Sequence, residues 1–164
     1  MHAPRSLGAY GLTLFLGLFG GCGVIQKCAP PSVSAPIDIS YQCTDMVNAA
    51  RANAGLAPVT VVGSINLAAE GHSTYQANMQ KMAHSGSNDS NAGQRIEAQG
   101  YAWSAWAENV AAGQGDCANV ISAWMGSEGH RANILNPAMT SIGIGAVTGT
   151  NGVIYWTMDL AAGR

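Results

Sequence analysis

The end of the chain constrains the fold most. Residues 142–147 alternate glycine with isoleucine, and residues 153–160 are rich in β-branched and aromatic side chains. Gly149-Thr150-Asn151-Gly152 between them has the composition of a hairpin turn. The stretches before this hairpin have the apolar spacing of helices. Helices followed by a terminal hairpin predict an α+β domain in which helices cover a small, mostly antiparallel sheet.

The helical stretches can be placed by their start and stop signals. Residues 40–54 read as a helix with Ser40 as N-cap and Gly55 as stop. Residues 58–62 form a short extended piece. A second helix is expected from Ser64 to about Met82, with Leu67, Ala68, Gly71, His72, Tyr75, Met79 and Met82 facing inward. A polar loop over 85–91 follows, then a short helix over 92–99. Residues 109–115 read as loop, and Asp116 or Cys117 opens a helix through Trp124 to about Met125. No internal repeat is present.

The N-terminus has a different character. Arg5 precedes an apolar run from Leu7 to Phe19, the layout of a secretory signal and too short for a comfortable membrane span. Gly20-Gly21-Cys22 at its end resembles a bacterial lipobox, with Phe19 where an aliphatic residue is preferred. The expected organisation is a signal over 1–22, a Pro/Ser-rich tether over 23–39 and one domain over 40–164. Acylation of Cys22 would give membrane contact through a lipid anchor, in the outer membrane or periplasm. Ordinary cleavage would give a secreted product. Both place the domain in the envelope or outside the cell.

Of the 164 residues, 10% are charged, and the formal net charge is −2. Lys and Arg are few and scattered, so no cationic face for nucleic acid is expected. Four cysteines are present. In an oxidising compartment Cys43 and Cys117, each near the start of a helix, are the favoured disulfide, with Cys22–Cys28 as the rival pairing if lipidation does not occur. No cysteine spacing suggests structural zinc.

Three residues placed at predicted element ends could do chemistry: His84, Glu108 and His130. Two imidazoles and a carboxylate suit a divalent metal such as zinc or copper, or an acid–base pair. Each also has a plainer reading. Glu108 could anchor loop amides, and His130 could cap the helix before it. His72 lies on the inward stripe of its helix, as a hydrogen-bonded core histidine would. Trp103, Trp106, Trp124 and Trp156 suit core and rim packing. Arg95 and Arg131 are expected to pair with local carboxylates or carbonyls. No Gly-x-Ser-x-Gly elbow, HExxH helix or Cys–His signature is present.

The ordered blocks Met82-Ala83-His84-Ser85-Gly86, Gly93-Gln94-Arg95-Ile96, Ala107-Glu108-Asn109-Val110 and Trp124-Met125-Gly126-Ser127-Glu128-Gly129-His130-Arg131-Ala132-Asn133-Ile134-Leu135 carry a family resemblance. From Cys43 to Leu160 the chain resembles the bacterial branch of the CAP (SCP-like) superfamily, which includes cysteine-rich secretory, antigen 5 and pathogenesis-related 1 proteins. The resemblance implies a three-layer α-β-α sandwich with a central, mostly antiparallel sheet and a cleft usually holding two histidines and two acids. His84, Glu108 and His130 match three of these. The fourth acid falls three residues after the tryptophan in eukaryotic members; here that position is Ser127, and Glu128 comes one later. One helical step turns a side chain by about 100°, which leaves the cleft a triad, with Ser127, Glu128 and His72 as additional candidates.

The resemblance implies a binding module for a divalent metal, a lipid or sterol, or a protein partner. A metal-assisted extracellular hydrolase using His84, Glu108 and His130 is the alternative, with Ser85 or Ser127 as nucleophile. A structural envelope domain acting through its surface is a third.

Overall fold

The computed structural model describes residues 39–164. The signal, the lipobox cysteine Cys22, Cys28 and all but the last residue of the tether lie outside the described residues. The elements in order are α1 (Ile39–Asn53), β1 (Thr60–Val61), α2 (Gly63–Met79), α3 (Ala92–Ala98), β2 (Trp103–Ala112), α4 (Cys117–Gly126), α5 (Glu128–Ile134), β3 (Ser141–Thr148) and β4 (Ile154–Gly163). A single 3-10 turn, Ser87–Asp89, lies in the loop before α3.

Four strands form one sheet in the order β1-β3-β4-β2. The short β1 runs parallel to β3, and the β3–β4 and β4–β2 pairings are antiparallel. Side chains alternate between the two faces of a strand. On β4, Trp156, Met158 and Leu160 join Ile142 and Ile144 of β3 in the larger core. That core is closed by Val47 of α1, Val120 and Trp124 of α4, and Ile134 of α5. The intervening Ala161 packs on the opposite face with Ile65 and Ala68 of α2 and Ile96 of α3. The result is the expected α+β three-layer sandwich.

The Gly-Ile alternation of β3 now has a physical cause. A Cβ on Gly143 would fall inside the contact radius of the Ile65 and Asn66 backbone, and one on Gly145 would meet the backbone of Ala69 and Glu70. Helix α2 therefore lies directly on the strand, and only glycine allows that approach. The same closeness corrects the expected inward stripe of α2. Ala68 and His72 are buried as expected, but Leu67, Gly71, Met79 and Met82 are exposed, and Ala69, Ser73, Gln76 and Ala77 are buried in their place. Small and hydrogen-bonding residues face the sheet because large apolar ones do not fit. Ser73 Oγ and Gln76 Nε2 both bond Thr157 Oγ1, at 2.9 and 3.0 Å.

Three further expectations are corrected. Helix α2 ends at Met79, where Gln80 turns left-handed (φ 51°), so Met82 lies beyond it. Ser40 lies inside α1, with its hydroxyl accepting from the Ile144 amide. Residues 109–112 belong to β2 and not to a loop; Ala-rich composition and burial on both faces hid the period-two signal.

Two devices tie α1 down. Cys43 and Cys117 form a disulfide with Cα atoms 5.2 Å apart, closing a 74-residue separation between α1 and α4. Closing a loop that long stabilises by about 4 kcal/mol in the chain-entropy account. The buried Arg51 guanidinium donates to the carbonyls of Ala57, Ile134, Asn136 and Met139 at 2.8–3.1 Å. It thereby satisfies free carbonyls at and beyond the C-terminus of α5.

Candidate functional site

Glu108 is the centre of the site. It points from the middle of β2 toward the α2–α3 side of the sheet, and its side chain is only 3% exposed. A buried carboxylate needs partners. His84 Nδ1 donates to Oε1 at 2.8 Å, and the Arg95 guanidinium of α3 donates to Oε2. His72 Nε2 donates to the Ala83 carbonyl at 2.8 Å and lies 3.8 Å from Oε2. Burial lowers the His72 pKa, and the nearby Arg95 charge lowers it further, so the ring is held neutral at physiological pH. The Arg95 expectation holds: it pairs with a carboxylate and also donates to the His84 and Ser90 carbonyls.

His84 occupies the loop after α2, with its ring 63% exposed. Because Nδ1 is used by Glu108, Nε2 is the nitrogen offered outward. His130 lies in the first turn of α5 and is half-buried. It therefore belongs to a new helix and does not cap α4. Partial burial lowers its pKa, and so does the proximity of His84. The His84 imidazole is thus close enough to oppose protonation of His130.

A residue that sequence reasoning missed stands behind Glu108. Asp159 of β4 is its register partner across the antiparallel ladder. Glu108 and Val110 turn their carbonyls away from β4, toward Asn133 and Trp124. That makes the Glu108–Asp159 pair non-hydrogen-bonded along the backbone, the kind whose side chains come closest. Asp159 is fully buried and neither carboxyl oxygen has a hydrogen-bond donor. Burial, then the Glu108 charge, push its pKa well above the usual carboxylate value. A proton kept on Asp159 is placed to bridge the two carboxyls. The only sequence signal was an acid in a run otherwise suited to a buried strand.

The outer edge of β2 is closed by asparagines that sequence reasoning also passed over. Asn133 Nδ2 of α5 donates to the Glu108 carbonyl at 3.2 Å and to Asn109 Oδ1 at 2.8 Å. Asn109 Nδ2 donates to the His130 carbonyl at 3.0 Å, and Trp124 Nε1 donates to the Val110 carbonyl at 3.2 Å. These bonds fix α5, and so His130, against the strand that carries Glu108.

Two cavities follow one another along β2. The first, about 450 Å³, is lined by His84, Ser85, Asn91, Trp106, Glu108 and Asn133, with Ala92 and Ala107. The second, about 340 Å³, is lined by His130, Ser127, Met82, Trp124 and residues 110–112 among others. His84 and Glu108 are thus brought together in direct contact, with His130 and Ser127 in the adjoining compartment. Glu128 is exposed and lines neither cavity, and His72 is buried beneath the site.

The donor set bears on metal binding. Both Glu108 oxygens are committed, one of them to a guanidinium that would repel a cation. Among the described residues no group of three or more His, Cys, Asp or Glu side chains is arranged to hold a metal ion. In this arrangement His84, Glu108 and His130 do not fit a metal as a three-ligand set, and no chemistry is routed through one. What the site offers is an outward imidazole nitrogen backed by a carboxylate, an acid–base dyad.

Comparison with known proteins agrees with the fold. The chain is 34% identical over 119 residues to the protein YkwD of Bacillus subtilis (strain 168), covering 73% of this chain and 45% of that one. It therefore spans less than half the length of this relative. An extracellular protein containing a SCP domain from Bacillus anthracis str. Ames superposes with a TM-score of 0.69 at 24% identity, over 75% of this chain and 40% of that one. An outer surface protein from Borrelia burgdorferi gives 0.70 at 15% identity, over 76% and 92%. Residues 44–160 match the CAP family of cysteine-rich secretory proteins, and the chain belongs to it.

Proposed function

We propose that this chain is an exported binding module that takes its ligand in the cleft along β2. The observation that carries the reading is the first cavity, walled by the His84–Glu108 pair, with a second cavity that holds His130 lined by later residues of the same strand. Ligand pockets of a few hundred Å³ with a few convergent polar groups are the usual form of small-ligand sites. Export is supported by the signal-like N-terminus, by the extracellular and surface descriptions of the two structural relatives, and by a disulfide suited to an oxidising compartment. A lipid anchor at Cys22 belongs to the same proposal.

The classes implied by family membership are a lipid or sterol, a protein partner and a divalent metal. The mostly apolar second compartment, with Met82, Ala111 and Trp124, favours a lipid there. The committed state of Glu108 weighs against metal. The test is calorimetric titration of the purified chain with a fatty acid, a sterol, zinc and copper, for wild type and for His84→Ala/His130→Ala. The reading expects at least one saturable ligand whose affinity falls by about tenfold or more in the variant. Binding that the variant leaves intact would place the site elsewhere and contradict it.

A hydrolytic reading has one observation in its favour, the His84–Glu108 dyad with Nε2 facing outward. Among the described residues no hydroxyl is hydrogen-bonded to that nitrogen. Turnover of an ester or peptide that disappears in His84→Ala would support it. Turnover unchanged by that substitution would exclude the dyad.

A further inference from the structure

We infer that the first compartment of the cleft binds a neutral sugar ring stacked against Trp106. The inference rests on the cleft-binding reading above and names its ligand.

The compartment carries almost no net charge. Its one carboxylate, Glu108, is paired with Arg95, and its remaining lining is uncharged apart from the titratable His84. Neither an anion nor an ammonium group finds an unmatched counter-charge there. An extended peptide has no purchase on the strand edge either. The outward carbonyls of Glu108 and Val110 are already taken by Asn133 and Trp124, so strand addition to β2 is blocked at both.

What remains open is a set of neutral hydrogen-bonding groups. Among the described residues no protein group bonds the Ser85 hydroxyl, His84 Nε2, the Asn91 side-chain N–H₂ or Asn133 Oδ1. Asn91 uses only its Oδ1, in the cap of α3, and Asn133 uses only its Nδ2. Together these provide one hydroxyl able to donate or accept, one donor pair and two acceptors, which is the mixture a ring of hydroxyl or acetamido groups satisfies.

Trp106 supplies the apolar wall. It is 36% exposed at the cavity rim, whereas Trp124 and Trp156 are buried. Its ring is held in place from behind. Trp103 meets it edge-on with centroids 6.3 Å apart, and Gly93 of α3 lies so close that a Cβ there would collide with the indole Nε1. A fixed, half-exposed indole next to uncommitted polar groups has the amphipathic surface that suits a ligand apolar on one face and wet at its edge. A cavity of about 450 Å³ holds one or two such rings.

The test is titration of the purified chain with the neutral oligosaccharides tri-N-acetylchitotriose, cellotriose and maltotriose. It is followed by calorimetry and by the indole N–H resonances in ¹H–¹⁵N spectra. The expected result is saturation by at least one sugar, with the Trp106 indole resonance moving. Affinity should drop by about tenfold or more in Trp106→Ala and be largely kept in Trp106→Tyr. The wild-type resonance gives an answer even if Trp106→Ala fails to fold. Sugar binding that leaves the Trp106 resonance still would overturn the inference. So would the absence of saturation by every sugar. In that case a response of the cleft to a fatty acid, a sterol or a peptide leaves the binding reading standing while the sugar falls.

Discussion

Asp159 shows how much a single residue can set at this site. An acid in the middle of β4, with no donor to its oxygens and Glu108 across the ladder, is costly to ionise. Its folded pKa lies above the unfolded value. As pH rises from the ordinary carboxylate range, the unfolded chain releases this proton first, so folding stability falls with pH until the folded group also titrates. Asp159→Asn keeps the shape and a donor toward Glu108 but has no proton to lose. The variant should therefore match wild type at acid pH and exceed it at neutral pH, the gap opening as pH rises above the ordinary carboxylate range. Urea denaturation across pH measures this, and parallel curves for the two proteins would show that Asp159 does not titrate as described. His72 works in the opposite sense. Its lowered pKa makes neutral imidazole the folded form, and the stability it contributes is lost as pH falls below the usual histidine range.

At the scale of elements, the join between α2 and β3 is the tightest. Gly145→Ala would push a methyl group into the backbone of Ala69 and Glu70, which cannot rotate away as a side chain could. The expected cost is about 2–3 kcal/mol, in the range of overpacked cores, read as a lower denaturation midpoint. A change within a few tenths of a kcal/mol would mean that α2 is free to slide outward.

The same elements show what could be seen in the sequence. The strands β3 and β4 and their turn were legible because glycine alternation and β-branched residues report backbone needs directly. Helix α2 was legible as a helix, but only part of its buried face was. Ala68 and His72 were expected inward and are buried; hydrophobicity also pointed to Leu67 and Met79, whereas close approach to glycines selected Ala69 and Ser73. Strand β2 was missed along its whole length, its alternation being erased over residues 107–111 where both faces are covered, and α5 escaped because seven residues carry too little periodicity. For the site, the resemblance supplied His84, Glu108 and His130. It did not supply Asp159, Asn109 or Asn133, whose roles depend on which strand lies beside β2. Composition cannot reveal that pairing.

At the scale of the whole molecule, the helical layers do different jobs. The layer of α1, α4 and α5 holds the larger core, the disulfide and the Arg51 carbonyl anchor. The opposite layer of α2 and α3 brings His72 and Arg95 to Glu108, and the loop between these helices brings His84. The cleft runs where β2 leaves the sheet edge, with α5 sealing the strand from outside.

The most direct test of the cleft as the working site is the histidine side-chain ¹H–¹⁵N correlation spectrum of the purified chain, recorded alone and with whichever ligand it binds. His84 is predicted to carry its proton on Nδ1 toward Glu108, and its Nε2 resonance to shift on ligand addition. A His84 protonated on Nε2 in the free protein, or histidine resonances that stay still while the ligand binds, would contradict that role for the cleft.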